Sequence, residues 1–115
     1  MEILHIAHRT AWEAALLAGT YRVSSGEAML EDVGFIHAST GAQLNSVAER
    51  FYVDDPEELV VLVLDDDAIR AAGIEVQYED AGDGELYPHI YGAIDPSWVA
   101  QTRPGRFDER GQFQS

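Results

Sequence analysis

Leu59-Val60-Val61-Leu62-Val63-Leu64 is the longest apolar run in this chain of 115 residues. Six residues suit a buried strand and fall far short of the roughly 18 that a membrane span requires. A chain of this length supports about one hydrophobic core. The expectation is a single domain over residues 1–107, followed by a polar, frayed tail over 108–115.

Local patterning on either side predicts an alternation of short strands and helices. Residues 3–7 read as a first strand. Thr10-Ala11-Trp12-Glu13 has the capping-box form, which places a helix with Trp12, Ala15 and Leu16 on one face and a stop at Gly19. Residues 21–31 read as a polar connection with a turn at Ser24-Ser25-Gly26, and residues 35–38 as a short strand. Thr40-Gly41-Ala42-Gln43 repeats the capping-box form, and Leu44, Val47, Ala48 and Phe51 follow at helical spacing.

Asp65-Asp66-Asp67 supplies acid at the start of a short helix over residues 68–72 and reads as solvated surface. Residues 74–79 and 85–91 form a hairpin pattern about Gly82-Asp83-Gly84, and residues 99–103 a last strand. This order predicts an α+β fold in which two or three helices pack against a mostly antiparallel sheet.

Net charge narrows the partners. The chain carries −14, and all seven of its basic residues are arginine. Nucleic-acid affinity comes largely from cationic side chains that release counterions, so nucleic acid is not an expected partner, and neither is an anionic membrane. A small anion held by one or two arginines is compatible with this composition. Without lysine there is no Schiff-base chemistry and no Walker-type phosphate loop; without cysteine there is no disulfide framework or thiolate nucleophile. A cytoplasmic location is the expectation, since the first residues lack a basic region and a long apolar stretch.

Two segments place a histidine in apolar surroundings: Gly34-Phe35-Ile36-His37-Ala38-Ser39-Thr40 and Tyr87-Pro88-His89-Ile90-Tyr91-Gly92. A buried imidazole needs a hydrogen-bond partner, so each histidine either makes a core hydrogen bond or serves a site. His37 falls where a strand ends and a helix begins, a place where free amides meet anions. Tyr87, His89 and Tyr91 share one strand face and form either a stacking platform or a core wall. Hairpin pairing brings Glu79 near Glu85 or Tyr87 and so within range of His89, where a carboxylate orients a tautomer, acts as a base or stabilises a cation. Glu79 is otherwise a solvated edge residue. His37, His89 and Glu79 are chemically fit for a metal, but they are scattered along the chain and no resident metal is expected. His5 and His8, three apart in a strand, face opposite sides and make no metal clip.

Arg9-Thr10-Ala11-Trp12-Glu13-Ala14-Ala15, Gly34-Phe35-Ile36-His37-Ala38-Ser39 with Gln43, Tyr78-Glu79 and Tyr87-Pro88-His89-Ile90-Tyr91-Gly92 together resemble the small bacterial family catalogued as domain of unknown function 952. That family is similar to the ADP-ribosyltransferase fold. The resemblance implies a compact split sheet and a cleft for NAD or a related nucleotide, with NAD as substrate if the protein is an enzyme. His37, with Ser39 or Thr40, would then hold the nicotinamide ribose, Glu79 would stabilise an oxocarbenium-like transition state, and Tyr87 or Tyr91 would stack on nicotinamide. Gln43 and His89 complete the implied binding set. A non-catalytic module that binds a small molecule or a partner through the same pocket is the alternative.

Overall fold

In the computed structural model, which describes all 115 residues, the apolar run forms β5 (Leu59–Asp65). Both of its edges are paired antiparallel, one with β1 (Glu2–His8) and the other with β8 (Gln101–Phe107). Because successive side chains point to opposite faces, an unbroken apolar strand demands cover on both sides. One face carries Ile3 and Ala7 beside Val60, Leu62 and Leu64; the other carries Leu4 and Ile6 beside Leu59, Val61 and Val63. The sheet therefore has two apolar clusters, one on each face.

Helix α1 (Arg9–Ala18) covers the first face with Trp12 and Ala15. It starts directly from β1, so Thr10 already lies within the first turn and the predicted capping box does not form. His8 is the N-cap, no side chain caps the helix, and the Thr10 hydroxyl lies 3.4 Å from Glu57 Oε1. Leu16, expected on the buried face, is exposed. Gly19 ends the helix in the left-handed conformation, as predicted.

A two-stranded ribbon follows, β2 (Val23–Ser25) with β3 (Ala28–Met29), and then the single turn of α2 (Leu30–Val33). With α3 (Leu44–Phe51) and α4 (Asp66–Ala71) the structure has four α-helices, one or two more than expected. Helix α3 covers the second face through Leu44 and Ala48. The next residue in that series is Tyr52 rather than Phe51, because the row i, i+4, i+8 continues past the helix end while Phe51 turns outward.

The third sheet has the order β4 (Ile36–His37), β7 (Leu86–Ile90), β6 (Val76–Asp80), also antiparallel. β4 is short for a covalent reason. Ala38 donates its N–H to the Pro88 carbonyl at 3.0 Å, but proline has no N–H to return. The chain then leaves β7 and Ser39 pairs with Leu4 of β1 through two backbone hydrogen bonds of 2.8 and 2.7 Å. Residues 36–39 thus bridge the two larger sheets.

The C-terminal residues depart from the expected frayed tail. β9 (Phe113–Gln114) pairs with β8, and Phe113 is buried in the second apolar cluster. Gly105 makes the room: a Cβ there would come 2.6 Å from the Phe113 ring. Glu49 of α3 accepts the Phe113 backbone N–H at 2.9 Å. No helix is long and apolar enough to cross a membrane.

Candidate binding cleft

Where residues 36–39 span from one sheet to the other, His37, Ala38 and Ser39 form the floor of a cleft of about 450 Å³. Its walls come from β1, the β2–β3 ribbon, α3 and the tip of the β6–β7 hairpin, and include His37, Ser39, Ser24, Arg50, Tyr52 and Tyr87. The volume lies in the range of small-molecule sites, which combine apolar walls with a few polar groups.

His5 supports the floor from below. It stands on the apolar face of β1, where Ile3 and Ala7 are its neighbours, and it is fully enclosed. Its Nδ1–H donates to the His37 carbonyl, and its Nε2 accepts from the Tyr21 hydroxyl at 2.8 Å. Burial pushes the His5 pKa down to about 4, so the ring is neutral and both nitrogens are satisfied. On the opposite side of β1, His8 donates to Asp55 at 2.7 Å at the cleft's edge, as the strand alternation predicted.

The His37 ring is half-buried. Desolvation, and secondly the neighbouring His89, lower its pKa from the ordinary value, so at neutral pH it is an uncharged donor and acceptor facing the cleft. Behind it stands an aromatic cluster. His89 lies across from His37 with ring centroids 5.1 Å apart, and Phe35 stacks on His89 at 4.0 Å. Glu79, paired with Tyr87 across the hairpin, reaches one step along its face to accept the His89 Nδ1–H at 2.8 Å. The Tyr91 hydroxyl donates to the same oxygen. These two donors, Tyr91 foremost, hold the Glu79 carboxyl below the usual carboxylate range.

The predicted residues thus divide into three groups. His37, Ser39 and Tyr87 line the cleft. Glu79, His89 and Tyr91 form a hydrogen-bonded group that touches the cleft through His37 and does not line it. Thr40 and Gln43 are occupied in starting α3. Gln43 Oε1 accepts the Thr40 N–H at 3.0 Å, which is half of the expected capping box, while its Nε2 donates to the Leu86 carbonyl at 2.9 Å and ties α3 to β7.

Tyr87 is anchored by its hydroxyl, which donates to Asp83 Oδ2 at 2.6 Å in the hairpin turn. The same carboxylate lies 3.6 Å from the Arg50 guanidinium, and Arg50 brings the cleft its one arginine. Sequence reading missed His5, Ser24, Arg50 and Tyr52. Only His5 left a local trace, as an imidazole on an otherwise apolar strand face. The acidic triplet is only partly solvated: Asp65 caps α4, whereas Asp66 is buried against the Met1 amine, Arg70 and Tyr78.

Curled antiparallel sheets, four helices and a mixed polar and apolar cleft define a small α+β protein. The model of a family described as a protein of unknown function, DUF952, matches residues 6–102, and the chain belongs to that family. Its fold is similar to the crystal structure of protein CC0527 from Caulobacter crescentus, at 27% identity and a TM-score of 0.84, covering 99% of this chain and 94% of that one. The solution structure of the same protein gives 25% identity and a TM-score of 0.77, covering 96% and 90%. No curated protein matches.

Proposed function

We propose that this chain is a small-molecule-binding protein whose cleft takes a nucleotide-type ligand, with NAD as the first member to test. The observation that carries the reading is the convergence of His37, Ser39 and Tyr87 on one cavity that also holds Arg50. Imidazole and hydroxyl groups suit ribose hydroxyls, the tyrosines offer ring faces, and a guanidinium suits a phosphate oxygen. A ligand phosphate would compete with Asp83 for Arg50. That exchange is accessible because the ion pair is long and half-exposed.

Binding is better supported than glycosyl transfer. A transferase role asks the Glu79 carboxylate to face the ribose, but Glu79 stands outside the cleft lining with one oxygen occupied by His89 and Tyr91. The acidic surface likewise favours a single small anion over a polyanion.

Titrating NAD, ADP-ribose and nicotinamide while following the backbone amides of Ser39, Arg50 and Tyr87 tests the reading. Saturable shifts with NAD or ADP-ribose, weakened about tenfold by Arg50→Gln, are the expected result. No saturable shift with any of the three would overturn it.

A further inference from the structure

Buried polar atoms in folded proteins nearly always have a hydrogen-bond partner. His89 Nε2 has none, although His89 is only 4% exposed. The proton of the ring is held at the other nitrogen, Nδ1, which lies 2.8 Å from the Glu79 carboxylate. In that tautomer Nε2 is the acceptor nitrogen, and no donor stands against it.

Backbone pairing supplies a second imidazole. His37 and His89 are directly opposed across β4 and β7. The hydrogen bond from Ala38 to Pro88 makes the neighbouring position a hydrogen-bonded one, so 37 and 89 form the alternate, wider-bonded position at which facing side chains come closest. The rings meet edge to face, at 87° and 5.1 Å between centroids. Phe35 stacks on His89 at 4.0 Å and keeps that ring from swinging away.

We propose that His37 and His89 bind a divalent transition-metal ion, zinc in the first instance, with Glu79 as the outer carboxylate that orients His89. Imidazole nitrogen suits zinc, nickel and copper better than magnesium or calcium. A metal-bound histidine usually donates its other ring N–H to a carboxylate or carbonyl, and Glu79 already has that place. Two protein ligands leave coordination positions open, and since His37 lines the cleft, water or a cleft ligand fills them from that side. The site is thus an open, exchangeable one rather than a closed structural one. The proposal stands apart from the nucleotide reading, because zinc is titrated with no nucleotide present.

The test is titration of the full chain with zinc sulfate by calorimetry, and by spectra of the four imidazoles at neutral pH. The expected result is one zinc per chain, with the His37 and His89 ring signals moving together while those of His8 stay in place. Glu79→Gln, which does not touch the metal, should weaken binding about 10–100-fold. His37→Gln should weaken it at least as much, and because His37 is half-buried this variant keeps the test informative if His89→Gln fails to fold. Unchanged melting temperatures for the metal-free Glu79→Gln and His37→Gln variants confirm that folding is not what changed. Absence of zinc uptake at millimolar metal would overturn the proposal. So would uptake that survives His37→Gln and is lost in an Asp65→Asn, Asp67→Asn double variant.

Discussion

Tyr21 and His5 satisfy each other inside the first apolar cluster: the tyrosine hydroxyl lies 2.8 Å from His5 Nε2, and both residues are at most 2% exposed. The pair fixes the ring that in turn donates to the His37 carbonyl, and so sets the height of the cleft floor. Tyr21→Phe leaves a buried nitrogen without its donor. The expected loss is about 1–3 kcal/mol, read as a lower urea midpoint with an unchanged slope. Full stability in that variant would mean that the hydrogen bond contributes nothing.

Phe113 gives the clearest contrast between a polar C-terminal sequence and its structure. Its ring is buried among Leu4, Leu59, Val61 and Tyr52, close against Gly105. Phe113→Ala should destabilise by about 3–5 kcal/mol, the usual range for truncating a buried phenylalanine. Gly105→Ala should also destabilise, because the new methyl meets the ring at 2.6 Å and the surrounding cluster leaves it little freedom to move. Thermal unfolding of both variants measures this, and a frayed tail would leave each melting temperature unchanged.

What was legible in the sequence follows from how local each signal is. β5 announced itself as an apolar run, and Gly19 marked a helix end because a left-handed residue is needed there. The proximity of Glu79 and His89 followed from hairpin register, which a short turn nearly dictates. The other half of the cleft was not legible. Ser24, Arg50 and Tyr52 share a cleft with His37 where the bridge of residues 36–39 carries the chain across to β1, and no local spacing encodes that. Phe113 was missed for a related reason, since its partner is the bare backbone of Gly105 rather than a patterned neighbour.

Gln43 was expected at a ligand and is instead a clamp between α3 and β7. Gln43→Ala removes an acceptor for the Thr40 N–H and a donor to the Leu86 carbonyl. Both sites are open enough for water to replace the lost partner in part, so a loss of about 1 kcal/mol is expected. The signature that separates a clamp from a binding residue is selectivity. Chemical denaturation should register the change, whereas the affinity of any cleft ligand for the folded protein should stay within about twofold, well under the tenfold that 1.4 kcal/mol represents.

Asp66 should contribute to the acid response of the fold from a buried position. It is 3% exposed, yet it accepts from the Met1 amine at 2.9 Å and from the Tyr78 hydroxyl at 2.7 Å, with the Arg70 guanidinium 3.4 Å away. Burial alone would raise its pKa, but these donors outweigh burial and hold the carboxyl below its ordinary value. An unfolded aspartate protonates near about 3.9, so as pH falls the unfolded chain takes up its proton before the folded one does. The stability that Asp66 contributes is therefore complete above roughly pH 5 and is lost progressively below about 4. Asp66→Asn should lower stability at neutral pH by about 2 kcal/mol, since it leaves the amine and guanidinium without their buried counter-charge. Urea midpoints of the two proteins measured from pH 7 down to 3 should then converge, because the wild-type chain loses with acid what the variant never had. A gap that stays constant over this range would place the acid response elsewhere.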